Sequence, residues 1–297
     1  MNILFAMIPA FLWGTTYAAT QYALPEWPPL LLGALRALPA GLLLLLLKPS
    51  FPKREDWKNL CVLGSINIAV FFAFIFIMAL TLPSAISGVG MLSVPTFAML
   101  YHWLVNKQKP SLIQLLCGLL LISLAWILFD PGAMTLNLFG LLAMLGAIMS
   151  LVIGSCLTKS LASKIHWWTV LTWQLIIGGS ILGVCAGLHA IVNKQLYIDV
   201  FKNISLLNIS GVLWLIIFTT SIAYGLYVWL LQRMSVVDFT FGGIANPIAG
   251  ILSGYILMND EFSAEQYFLM GLMIVTSLLP QLIIIFKNKI AMRRLGE

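Results

Sequence analysis

Hydrophobic residues in this chain do not alternate with polar ones; they run in long blocks broken by short polar punctuation. Ten blocks fall at roughly 3–22, 29–47, 58–80, 83–105, 110–129, 136–158, 167–192, 207–232, 238–257 and 263–286. A helix needs about 20 residues to cross ~30 Å of hydrocarbon, so each block is about one crossing long. Lipid offers no partner to an open backbone N–H or C=O, and unbroken blocks of this length therefore predict helices. Barrel strands would be about half as long and would alternate apolar with polar positions. The expected fold is all-α, a polytopic membrane protein of ten transmembrane helices. Only the loops at 48–57 and 193–206 are long, which leaves no room for an embedded soluble domain.

Blocks four and nine share a phrase. The first copy runs from Pro95 to Lys109 and the second from Pro247 to Glu261: a proline inside an apolar run, then a charged residue fourteen positions later. Gly118 or Gly271 follows in the next block. With five blocks per half, the second copy must lie upside down relative to the first, the pattern of carriers built from inverted repeats. The turn at Asp130-Pro131-Gly132 divides the chain into 1–132 and 133–297, two five-helix repeats of one membrane domain. Small residues at four-residue spacing, Gly33, Ala37 and Gly41 in the second span and Gly179, Gly183 and Gly187 in the seventh, predict close helix approach. Pro95 and Pro247 remove a backbone hydrogen bond inside their spans and are the candidate hinges.

Composition agrees: 61% of the residues are hydrophobic, 9% are charged, and the mean hydropathy is +1.01. One core cannot hide that much apolar surface, so the lipid bilayer must act as solvent. The net charge of +6 is explained by its placement rather than by nucleic acid. With a cytoplasmic N-terminus, the inner loops and tail carry thirteen Lys and Arg residues, the outer loops only Lys194 and Lys202. That bias places both termini in the cytoplasm. The exchange of Lys109 for Glu261 between the copies has the sign that opposite orientations require. Met1 and Asn2 supply no basic segment ahead of the first span, so that span is expected to be retained. Cys61, Cys117, Cys156 and Cys185 show no CxxC spacing, and His102, His166 and His189 lie far apart; neither set suggests a metal. No cofactor is implied.

Span one carries PAFLWGTTYAATQYAL, span two Arg36 followed by ALPAGLLLLL, and span three LGSINIAVFFAFIF. Span seven carries Trp173-Gln174 and LIIGG, and span nine opens on Asn246-Pro247. In this order across the chain these motifs resemble the EamA family of the drug/metabolite transporter superfamily, in particular its PecM-like branch. The resemblance implies an exporter or exchanger of small metabolites in a bacterial inner membrane, with a central cavity between two five-helix repeats. Lys109 departs from the family, which often carries Glu at that place.

No acidic residue lies well inside a span, which argues against a carboxylate that exchanges protons for cations. Arg36 is the one charge well inside a span. Two readings stand: an anchor for a substrate carboxylate, or a partner for carbonyls freed near a kink at Pro39 or Pro95. Trp13, Thr16 and Tyr17 share a face of span one with Thr20. Asn67 pairs with Phe71 in span three, and Thr220 with Tyr224 and Tyr227 in span eight, at helical spacing. Polar faces in lipid turn inward, so these residues are expected to converge with Gln174, the repeat equivalent of Arg36, and with Asn246. They either line a substrate cavity or bond helix to helix. Trp167 and Trp168 are expected at the membrane interface. No clustered catalytic set occurs in the spans, so a small-molecule carrier, monomeric or homodimeric, is expected rather than an enzyme. Uptake, or a scaffold without transport, remains the alternative.

Overall fold

A computed structural model describes residues 3–107, 109, 111–129, 137–161, 164–231, 243 and 245–294. The main helices are α1 (Ile3–Ala23), α2 (Pro29–Leu47), α3 (Arg54–Thr81), α4 (Ser84–Val105), α5 (Leu112–Phe129) and α6 (Leu138–Leu161). The rest are α7 (Trp167–Val192), α8 (Lys194–Lys202), α9 (Leu206–Leu230), α10 (Ala245–Met258) and α11 (Ala264–Arg294). Among the described residues there is no strand. By length and composition, six of these helices can cross a membrane: α2, α3, α4, α6, α7 and α9. The apolar stretches of α5, α10 and α11 are shorter. This all-helical architecture is that of a polytopic membrane protein.

One helix stands where the block pattern predicts loop. α8 is short and two-faced, with Tyr197 and Val200 buried and Lys194, Gln195 and Lys202 exposed. The Tyr197 hydroxyl lies 3.0 Å from His189 Nδ1 at the end of α7, which ties the helix back to the bundle.

Small residues set the closest approaches. α2 packs most extensively on α7, with Gly41 beside Leu175 and Ile176 and Gly179 beside the Leu38 backbone. Gly183 and Gly187 of the predicted row face open space, so only the first part of that row is a packing seam. α1 crosses α10 at Gly14, where a Cβ would run into the Asn246 carbonyl. On α4 and α10, Gly88 meets Pro247 and Gly250, and Ser84 Oγ donates to the Gly250 carbonyl at 3.2 Å.

Two helices are interrupted near their middles. α3 widens to π-helical geometry over Gly64–Val70, and α9 does so over Ile217–Ile222. A π turn adds a residue to the helical circuit, shifts the faces beyond it, and recurs at functional sites. Asn67 and Thr219, within these two stretches, are separated by the same distance along the chain as Pro95 and Pro247.

The prolines behave alike, but not as expected. A proline cannot bond the carbonyl four residues back, which for Pro95 is that of Met91 and for Pro247 that of Gly243. In each case the preceding residue takes the place: Val94 N–H donates to Met91 O, and Asn246 N–H donates to Gly243 O at 3.1 Å. The carbonyls therefore do not stay free; a tighter turn absorbs each of them. In α4 that turn is a 3-10 segment, Met91–Ser93.

Candidate functional site

α1, α2, α3 and α9 bring most of the expected polar and aromatic residues together around Arg36, which is 3% exposed. Its Nε donates to Thr220 Oγ1 at 2.8 Å and its Nη2 to the Thr219 carbonyl at 3.1 Å. The guanidinium carbon lies 4.3 Å from the centre of the Phe72 ring and 5.9 Å from that of Phe76. A cation over an aromatic face is attracted by the ring quadrupole. Among the described residues no carboxylate pairs with this charge; the one ion pair found, Lys53 with Glu55, is at the surface.

The acceptor of Arg36 belongs to the π-helical stretch of α9, not to a kink at Pro39 or Pro95. The Thr219 carbonyl also accepts Trp13 Nε1 at 3.1 Å, so one oxygen serves two spans. Trp13 meets Tyr224 and Tyr227 edge-on, with ring centres 5.1 and 5.2 Å away. Phe72 meets Tyr224 edge-on at 5.9 Å. Tyr17 and Tyr224 also lie close to the guanidinium, and the Tyr17 hydroxyl is within bonding reach of the Asn246 side chain.

The WGTTY phrase acquires a reason at nearly every letter. Trp13 bonds α9, and Gly14 lets α10 approach. Thr15 Oγ1 accepts Trp214 Nε1 at 3.0 Å, and Tyr17 reaches Arg36 and Asn246. Thr16 Oγ1 is buried without a hydrogen-bond partner, as is Asn246 Oδ1.

Asn67 and Gln174 do not join this cluster through any bond seen here; they bond each other. Asn67 Nδ2 donates to Gln174 Oε1 at 2.9 Å, with both side chains buried. The two polar stations therefore have one plan. Arg36 of α2 engages the π-helical stretch of α9, and Gln174 of α7 engages that of α3. Phe71 is buried too, but its ring faces Phe72, 5.7 Å away, and Phe72 is the residue that reaches Arg36. Phe72, Thr219 and Trp214 were not among the expected site residues. Thr219 adjoins Thr220, whereas nothing in the pattern separates Phe72 from its neighbour.

Elsewhere, tryptophans hold the loop between α2 and α3. Trp168 Nε1 donates to Lys48 O at 2.9 Å and Trp173 Nε1 to Ser50 O at 2.8 Å. Phe51 and Trp57 both pack on Trp173. A shallow apolar recess of about 280 Å³ lies between Trp167, Trp168, Gly225, Leu226 and Trp229, and none of these belongs to the Arg36 cluster. Among the described residues no group of three His, Cys, Asp or Glu side chains gathers that could hold a metal ion. Hydroxyls, amides, rings and one guanidinium are what this site offers, and they suit binding and orientation of a solute.

The chain is similar to known proteins along almost its whole length. Protein PecM of Dickeya dadantii (strain 3937) is 33% identical over 93% of this chain and 90% of its own. The uncharacterized inner membrane transporter YedA of Escherichia coli (strain K12) is 24% identical over 91% of this chain and 87% of its own. A protein of known crystal structure superimposes with a TM-score of 0.66 at 16% identity, over 94% of this chain and 96% of that one, and so shares the fold. The sequence pattern of the EamA-like transporter family matches residues 1–129. These relationships make the protein a membrane transporter of small molecules, and the chain belongs to the EamA-like transporter family.

Proposed function

We propose that the protein is a secondary transporter that moves small organic metabolites, amino-acid-like or aromatic, out of the cytoplasm or in exchange, by alternating access. In this reading the ten spans form two inverted repeats, 1–132 and 133–297, in one domain of a bacterial inner membrane, with both termini cytoplasmic. The matched π-helical stretches and the matched proline turns support the repeat, and the family match ending at 129 agrees with its boundary.

The observation that carries the proposal is the buried meeting of four spans on Arg36. Transporter sites form near the middle of the membrane where helices are discontinuous, and the α9 interruption supplies both acceptors of Arg36. Trp13, Thr16, Tyr17, Arg36, Tyr224, Tyr227 and Asn246 form the binding surface, Phe71 backs it through Phe72, and Asn67 with Gln174 forms the partner station. Pro95 and Pro247 are the hinges. On this topology the Ser84–Gly250 contact lies toward the periplasm.

Counterflow in proteoliposomes tests the reading. Vesicles preloaded with an aromatic or amino-acid-like solute should accumulate the labelled solute above protein-free vesicles, and Trp13→Ala should reduce that accumulation. If no solute in a broad panel exchanges above the blank, the carrier reading is lost.

A further inference from the structure

We infer that the Arg36 cluster selects organic anions, namely carboxylates bearing an apolar or aromatic body and a neutral hydrogen-bond donor. The inference rests on the transporter reading and narrows its cargo. Three features of the same site lead to it.

The first is charge. Arg36 sits 3% exposed with only neutral oxygens, from Thr220 and Thr219, on its donors, and no carboxylate meets it among the described residues. A buried cation without a counter-charge is costly, and an anion brought into contact offsets that cost. The same uncompensated charge repels a cationic solute. A zwitterion would bring an ammonium group that finds no carboxylate in the cluster. Net negative solutes are therefore favoured.

The second is an open acceptor. Asn246 Oδ1 is buried with no hydrogen-bond partner, although the Tyr17 hydroxyl beside it lies near both Asn246 and Arg36. An acceptor left unpaired in a dry site is costly unless something donates to it. A solute hydroxyl or amide N–H would do so. The third is the aromatic wall. The rings of Trp13, Tyr224 and Tyr227 meet edge-on in a cluster that adjoins Arg36, and an apolar or aromatic body is the chemistry that packs against such rings.

The test is counterflow with one ring in four charge states: phenyllactate as anion, phenylalanine as zwitterion, phenethylamine as cation and benzyl alcohol as neutral solute. Binding is followed in parallel by Trp fluorescence of the detergent-solubilised protein. Phenyllactate should exchange about tenfold or more faster than phenethylamine, the size of effect that one charge-assisted bond gives. Arg36→Gln should abolish phenyllactate exchange. Arg36→Lys, which keeps the charge but not the fork, should retain part of it. Asn246→Leu, which leaves Arg36 in place, should weaken phenyllactate binding more than that of phenylpropionate, which lacks the hydroxyl. Preferred exchange of phenethylamine, or full phenyllactate exchange by Arg36→Gln, overturns the inference while leaving the transporter reading intact. Failure of all four solutes to exchange overturns the inference; the transporter reading falls only if the broad panel fails as well.

Discussion

Asn67 on α3 and Gln174 on α7 share one buried amide–amide hydrogen bond of 2.9 Å, across 107 residues of sequence. It belongs with the bond between Arg36 and Thr220, because both join a polar side chain of one helix to a π-helical stretch of another. Each is an inward-facing polar contact in a chain whose other interior groups are mostly apolar.

That pairing is open to a double-mutant cycle. Asn67→Leu and Gln174→Leu should each lower the thermal midpoint in detergent, since each leaves one buried amide unpaired. The double variant should recover part of the loss. Hydrogen bonds between spans in membrane proteins contribute about 1 kcal/mol, and a coupling of that size is expected. Strict additivity would mean that the two side chains do not interact.

Thr220→Val keeps the shape of the side chain and removes its oxygen. Arg36 would retain the Thr219 carbonyl but lose the acceptor on its Nε. A stability loss of about 1 kcal/mol is expected, together with a measurable drop in counterflow. An unchanged rate would place Thr220 outside the transport cycle.

Gly14→Ala and Gly183→Ala form a controlled pair. The first sets a methyl group against the Asn246 backbone, and the second adds one where nothing lies within 4 Å. Backbone cannot move aside as a flexible side chain can, so Gly14→Ala should give little monodisperse protein on size exclusion. Gly183→Ala should elute as the parent does. Equal behaviour of the two would contradict the α1–α10 crossing.

Trp173→Phe removes the donor to Ser50 O while keeping an aromatic ring against Phe51 and Trp57. The 48–53 loop should loosen, and trypsin should cut at Lys53 or Arg54 faster. Cutting in inside-out vesicles but not in right-side-out ones would also place this loop in the cytoplasm. The reverse pattern would invert the proposed topology.

How much of this was legible depends on which physical constraint left a mark in composition. Hydrocarbon thickness dictates block length, so helices such as Pro29–Leu47 and Trp167–Val192 have the expected bounds. Arg36 and its acceptor Thr220 both stood out as polar residues inside apolar blocks, but its second acceptor, the Thr219 backbone carbonyl, did not. The widened stretches at Gly64–Val70 and Ile217–Ile222 have unlike sequences, so no shared residue signature marks them. α8 escaped notice because nine residues are too few to show a helical period beside longer apolar blocks. The spacing of Gly179, Gly183 and Gly187 suggested one seam, yet α2 covers only its first member; farther along α7 the residue beside Gly33 is Leu182, because each four-residue step turns about 40° around the helix. Part of the ninth block, along with Asp130, Pro131 and Gly132 at the divide, lies outside the described residues.

The Thr219 carbonyl accepts both Trp13 and Arg36. Its two donors come from neighbouring spans, so α1 and α2 are moored to α9 at a common cleat. A shift of α9 that reseats this atom must slacken both lines together. An indole placed at the cluster would then report on the guanidinium next to it. With the other nine tryptophans replaced, Trp13 emission would follow whether Arg36 is held or released.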